Sequence, residues 1–150
     1  AHDLETGILD TTAASFDRHL AVNARASLLL IAGFARQARD EGGAIVAFTS
    51  DATTGNLPYG ASKAALDRIV ISAARELGPR GISANVVNPG PIDTGWMDAG
   101  LRDHLTPYHP LGRLGTPQDI AGVTAFLLSA EGRWVTGQLL HVDGGFSARF

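Results

Sequence analysis

Three short apolar runs, separated by segments of helical periodicity, constrain this chain more than anything else in it. Ala44-Ile45-Val46-Ala47-Phe48, the stretch from Ile82 to Val87, and Gln138-Leu139-Leu140-His141-Val142-Asp143 are each bounded by turn residues, and read as buried strands. Before the first run, Phe16, Leu20, Ala24, Leu28, Ile31 and Phe34 keep to one helical face, which predicts a single helix over about 13–40. Thr11 and Thr12 stand at its start and Gly42-Gly43 at its end. Leu66, Ile69, Val70, Ala73 and Leu77 predict a second helix over 59–77, closed by Gly78-Pro79-Arg80-Gly81. Pro117, preceded by the cap residue Thr116 and followed by Ile120, Val123, Phe126 and Leu127, opens a third. Helices alternating with apolar strands specify an α/β fold, a parallel sheet with helices on its faces, because parallel strands need crossover connections. The first strand is as apolar as a central one, so a further neighbour is expected beside it.

At 150 residues with 45% apolar and 18% charged residues, the chain is expected to form one ordered domain. A net charge of −3 gives no footprint for nucleic acid. Cysteine is absent, which excludes disulfides and thiolate metal sites, and the five histidines lack metal-ligand spacing. The longest apolar run, Ser27–Phe34, is too short to span a bilayer, and the first residues lack a signal-peptide pattern, so a cytoplasmic protein without a membrane partner is expected. The segment 91–116 is long, rich in turn residues and dotted with Trp96, Met97, Leu101, Leu105 and Tyr108, which suits a functional lid.

The chemistry begins with Tyr59 and Lys63, four residues apart near a helix start. That spacing puts both side chains on one face. Of the twelve basic residues only Lys63 is a lysine, the one cation type whose pKa is readily tuned. A neighbouring ammonium and the positive helix end favour phenolate, so the tyrosine pKa is expected to fall toward working pH. A phenol tuned that way exchanges a proton with an alcohol oxygen. The bare spacing fits a surface tyrosine and a solvated lysine as well.

Context adds to it. The stretch Leu57-Pro58-Tyr59-Gly60-Ala61-Ser62-Lys63-Ala64-Ala65-Leu66 resembles the active-site helix of short-chain dehydrogenases/reductases. Four further stretches resemble that family in its own order: Leu20-Ala21-Val22-Asn23, Asn88-Pro89-Gly90-Pro91-Ile92-Asp93-Thr94, Gly112-Arg113-Leu114-Gly115-Thr116-Pro117-Gln118-Asp119-Ile120, and Thr136-Gly137-Gln138 through Val142-Asp143-Gly144-Gly145. The resemblance covers Leu9 to Gly145 and implies a Rossmann-like fold, with residues 1–150 forming the C-terminal part of one domain. It implies hydride transfer between NAD or NADP and a ketone or secondary alcohol, a 3-oxoacyl-carrier substrate among the options. It also implies a homo-oligomer, dimer or tetramer. By the same resemblance Tyr59 is the general acid/base, Lys63 lowers its pKa and holds the nicotinamide ribose, and Ser50 hydrogen-bonds the substrate carbonyl. Asn23 holds a relay water; Pro89, Gly90, Ile92 and Thr94 meet the nicotinamide carboxamide; Trp96 and Met97 fall in the lid.

Two departures qualify this. Ser50 and Tyr59 are nine positions apart, against about a dozen in the family, so the serine's role could pass to Thr49 or Thr53. No G-x-G-x-x-G run is present, so the dinucleotide-binding βα units, by analogy the first three, are expected to lie outside this chain, in the rest of a longer one. The competing expectation is a non-catalytic remnant serving as a binding or oligomerisation module.

Overall fold

The structure is a computed structural model that describes residues 7–38, 42–50, 55–95 and 97–148. Three parallel strands, β1 (Gly43–Phe48), β2 (Ile82–Asn88) and β3 (Leu139–His141), form a sheet in the order β1-β2-β3. Five helices accompany them: α1 (Ala13–His19), α2 (Ala26–Gln37), α3 (Leu57–Leu77), α4 (Ala99–Leu105) and α5 (Pro117–Leu128).

Side chains of a strand point alternately to its two faces, and here the alternation divides the core in two. Ala84 and Val86 of β2 pack on Leu66, Val70, Ala73 and Ala74 of α3, joined by Ile45, Ala47 and Leu139. Val87 faces the other way, onto Ile120 and Leu127 of α5, joined by Val46 and Leu140. Every residue of the central strand β2 is buried, as a strand covered on both faces requires. Leu127 is only 1% exposed. Leu127→Ala removes its contacts and leaves a cavity, so unfolding free energy is expected to fall by about 2–5 kcal/mol. Urea denaturation checks this as a lower midpoint with an unchanged slope.

The expected first helix is not one continuous α-helix. Leu20–Arg25 is a π-helical turn between α1 and α2, and the Ser27 hydroxyl donates to the carbonyl oxygen of Asn23 within it at 2.9 Å. Ala38 is already extended, and residues 39 and 40 lie outside the described set. The second helix starts two residues earlier than predicted, with Pro58 in its first turn, where a missing N–H costs nothing. The third strand is shorter than predicted, although Gln138 and Val142 still bond β2 through their backbones. Within the lid segment, α4 was not expected; Asp98 starts it by accepting the Leu101 amide at 2.8 Å. The α5 start is as predicted, with Asp119 accepting from both the Thr116 amide and hydroxyl at 2.8 Å. At the entry to β1, Gly42 (φ 77°) backs onto Gly81, whose carbonyl occupies the space a Cβ would need.

Candidate active site

The carboxyl ends of β1 and β2, the start of α3 and the π-helical turn meet on one side of the sheet. Ligands of open α/β sheets bind at that end of the strands. Ser50 leaves β1, and its hydroxyl is hydrogen-bonded to the Tyr59 side chain. The short spacing between them therefore does not part them. Lys63, one turn after Tyr59, donates from Nζ to the Phe48 carbonyl at 2.9 Å, and Nζ lies 5.6 Å from the Tyr59 ring centroid. Asn23 Nδ2 donates to Ser62 Oγ at 2.9 Å, and Ser62 in turn donates to the Tyr59 carbonyl at 2.7 Å. Asn23, Ser50, Tyr59 and Lys63, named from sequence, thus form one cluster, its members linked through hydrogen bonds and the close approach of Lys63 to Tyr59.

Ser62 was not singled out from sequence. It is fully buried and connects the π-helical turn to the first turns of α3. Its signal was available: three residues after Tyr59, it shares that residue's helical face. Thr49, the alternative to Ser50, lies elsewhere. It is buried and turned toward α3, 3.5 Å from the Lys63 carbonyl oxygen. Thr53 lies outside the described residues.

The electrostatics correct one expectation. Burial raises the Tyr59 phenol above its ordinary pKa, and the hydrogen bond from Ser50 only partly opposes this. The expected fall is not found, because the half-buried phenol loses hydration. Burial also lowers the Lys63 pKa, against the opposing charge of Asp67.

The second group of named residues forms a separate stretch beyond β2. The Gly90 amide donates to Asn88 Oδ1 at 3.1 Å, and Gly90 (φ 62°) lies so close to Asp143 that an added Cβ would fall 2.6 Å from that residue's Cβ. Pro89 is half-buried, Ile92 pairs with Gly115 in an isolated parallel bridge, and Thr94 is exposed. Of the two lid residues, Met97 is buried at 5% exposure, and Trp96 lies outside the described residues.

Asp143 anchors the turn after β3 by accepting the amides of Gly145 at 3.0 Å and Ser147 at 2.9 Å. Burial opposes its ionisation, but hydrogen bonds from Ser147 and Gly145 prevail and hold its pKa below the ordinary value. A carboxylate with a depressed folded pKa stabilises the fold above its unfolded pKa of about 3.9, and that contribution is lost as pH falls through the folded value. Wild-type stability is therefore expected to drop more steeply than that of Asp143→Asn below about pH 4, measured as urea midpoints across pH.

Fold and cluster together define a Rossmann-type α/β protein with a Ser-Tyr-Lys group at the carboxyl ends of its strands. The family model described as enoyl-(acyl carrier protein) reductase matches residues 1–147. The uncharacterized oxidoreductase YjdA of Bacillus subtilis is 42% identical over 153 residues, which cover 97% of this chain and 61% of that protein. The angucycline C-6 ketoreductase LanV, solved with bound NADP, superposes with a TM-score of 0.89 at 33% identity, covering 99% of this chain and 61% of that one. A blue fluorescent protein from a metagenomic library, in complex with NADPH, gives a TM-score of 0.86 at 36% identity, covering 98% and 62%. The chain belongs to the short-chain dehydrogenase/reductase family, and it spans 61% of the length of YjdA. Among the described residues no helix is long and apolar enough to cross a membrane.

Proposed function

We propose that the protein bearing this chain catalyses reversible hydride transfer between NAD(P)H and a ketone or secondary alcohol, and that this chain supplies the acid/base group. The observation that carries the reading is the Ser50-Tyr59 hydrogen bond with Lys63 Nζ 5.6 Å from the same ring. A bound reduced nicotinamide supplies the hydride. Tyr59 gives its hydroxyl proton to the carbonyl oxygen as that oxygen gains charge, and Ser50 donates a hydrogen bond to the same oxygen. The residues fit such a cofactor: an ammonium has three donors, and only one of those on Lys63 goes to the Phe48 carbonyl, leaving the others for ribose hydroxyls. The cation also offsets charge on the phenolate that Tyr59 becomes. Asn23, fixed through Ser62, is assigned to hold the relay water that returns the proton. Pro89, Gly90, Ile92 and Thr94 are assigned to the carboxamide end, and Trp96 and Met97 to the substrate lid.

Two solved relatives hold NADP or NADPH, which makes NADPH the first coenzyme to try. The matched family model's description favours acyl-carrier-linked substrates for the first trials. The direct test is thermal unfolding with saturating NADPH or NADH. A ligand bound only by the folded state adds about 2.7 kcal/mol at a hundredfold excess over Kd. A raised midpoint with either coenzyme is expected; a cooperative transition unmoved by both favours the rival reading.

That rival is an oligomerisation module, and one observation supports it. Between α2 and α3 runs a groove of about 450 Å³ lined by the apolar Leu28, Ile31, Ile69 and Leu77 together with Arg68, Ser72 and Glu76, and on α2 Leu29 is 64% exposed. The same surface suits the homo-oligomer proposed for the enzyme. Sedimentation decides between a dimer or tetramer, as expected, and a stable monomer. We place the protein in the cytoplasm.

A further inference from the structure

A carboxylate behind the lysine is the group the reading above leaves unused. Asp67 lies one helical turn beyond Lys63 on α3, at the spacing that places side chains on one face. Its Oδ1 is buried and has no hydrogen-bond partner. An orphaned buried carboxylate oxygen is costly, and such a group in a folded protein calls for an explanation. Nothing in the packing of α3 on β2 requires it, since that interface is made by Leu66, Val70, Ala73 and Ala74.

Its neighbours supply the explanation. Thr49, the residue before Ser50, favours the Asp67 carboxylate as a side-chain hydrogen-bond donor, on the oxygen other than the unpartnered Oδ1. The single Thr49 proton is also within reach of the Lys63 carbonyl at 3.5 Å, but the carboxylate is the stronger acceptor and the carbonyl contact is long. One side chain therefore meets the end of β1 that carries Ser50 and stands one turn of α3 beyond the ammonium on which its charge acts. Among the described residues, the titratable groups around this ammonium are Tyr59 and Asp67, with Arg68 acting on Asp67. The neighbours from β1 and the π-helical turn, Thr49, Ser50 and Asn23, carry no charge.

We propose that Asp67 is a positioning residue that keeps Lys63 charged and, through Thr49, fixes the Ser50 strand end against the turn of α3 bearing Tyr59 and Lys63. Burial of Lys63 disfavours its ammonium, and Asp67 is the charge that opposes this. Burial likewise disfavours the Asp67 carboxylate, against the Thr49 hydrogen bond and the charges of Arg68 and Lys63. Asp67 is thus the charge that opposes loss of the Lys63 proton, while Lys63 is the smallest of the influences that favour the Asp67 carboxylate. The consequence for turnover rests on the hydride-transfer reading; the effect on Lys63 does not.

Lys63 is the only lysine among these 150 residues, so after reductive methylation with ¹³C-formaldehyde its signal is assigned by its loss in Lys63→Arg. Its NMR titration reads the ammonium without any turnover. In Asp67→Asn the Lys63 pKa is expected to fall by about half a unit or more, while Asp67→Glu, which keeps the charge, stays nearer wild type. The wild-type signal is also expected to carry a smaller acidic inflection, above the ordinary carboxylate range, as Asp67 takes up its proton. If turnover is measured, its pH profile moves in Asp67→Asn and not in Asp67→Glu. The same Lys63 pKa in wild type and Asp67→Asn overturns the proposal. If Asp67→Asn does not fold, absence of the acidic inflection from the wild-type titration overturns it instead. A shifted Lys63 pKa in a protein that reduces no ketone leaves this inference standing and removes the hydride-transfer reading.

Discussion

Tyr59→Phe is expected to reduce kcat by about 10²- to 10⁴-fold, the span over which a positioned general acid acts, while the cofactor Kd stays close to wild type. The substitution removes one oxygen. The ring remains in its half-buried place beside Lys63, and the Asn23-Ser62 link, which ends on the Tyr59 carbonyl, is untouched. What disappears is the proton source and the hydrogen-bond partner of Ser50. Steady-state rates with a ketone, together with a cofactor titration, separate the two quantities. Unaltered kcat would remove Tyr59 from the mechanism; a parallel loss of cofactor affinity would show that the hydroxyl matters for binding instead.

Lys63→Met is expected to damage both quantities. Charge-assisted hydrogen bonds contribute about 1.5–3 kcal/mol, so cofactor affinity should fall by roughly 10- to 100-fold, and kcat should fall as well because the phenolate loses its cation. The fold should tolerate the change. Lys63 gives the Phe48 carbonyl a hydrogen bond, but its pKa is depressed by burial, which means that the folded state disfavours the ammonium. For a cation with a lowered folded pKa, the wild type gains stability as pH climbs from the folded value to the unfolded value of about 10.4. Lys63→Met lacks that gain. Urea midpoints across alkaline pH read the difference, and kinetics at one pH read the catalytic loss.

The parts of this fold that follow from short-range rules were legible in the residues. Alternation in Ile45-Val46-Ala47 and Val86-Val87 assigns side chains to two faces, and the structure buries them on opposite helices. The cap at Thr116 and the stop at Gly78-Pro79 are local chemistry and fall where expected. The π-helical turn was not read, because it changes which carbonyl each amide reaches while keeping the apolar residues on much the same face. The helix α4 escaped notice because in seven residues a single apolar pair, Leu101 and Leu105, gives periodicity little to act on.

The candidate site was legible as a set of residues and less so as an electrostatic object. Spacing put Lys63 beside Tyr59, and the structure keeps them together. Spacing could not weigh burial against charge, and burial prevails at Tyr59. Nor could it show that Ser62 joins Asn23 to α3, or that Asp67 faces Thr49, because both links cross from one element to another.

The central claim is that this Ser-Tyr-Lys cluster serves transfer of a hydride to a carbonyl carbon. The most direct measurement follows the atom itself: NADPH or NADH deuterated at C4 is incubated with the protein bearing this chain and a panel of acyl-thioester, aliphatic and aromatic ketones, and the products are analysed by mass spectrometry. The account predicts one deuterium on the carbinol carbon of at least one product, lost in Tyr59→Phe. Coenzyme consumed without label reaching any product, or equal labelling by wild type and Tyr59→Phe, would contradict it.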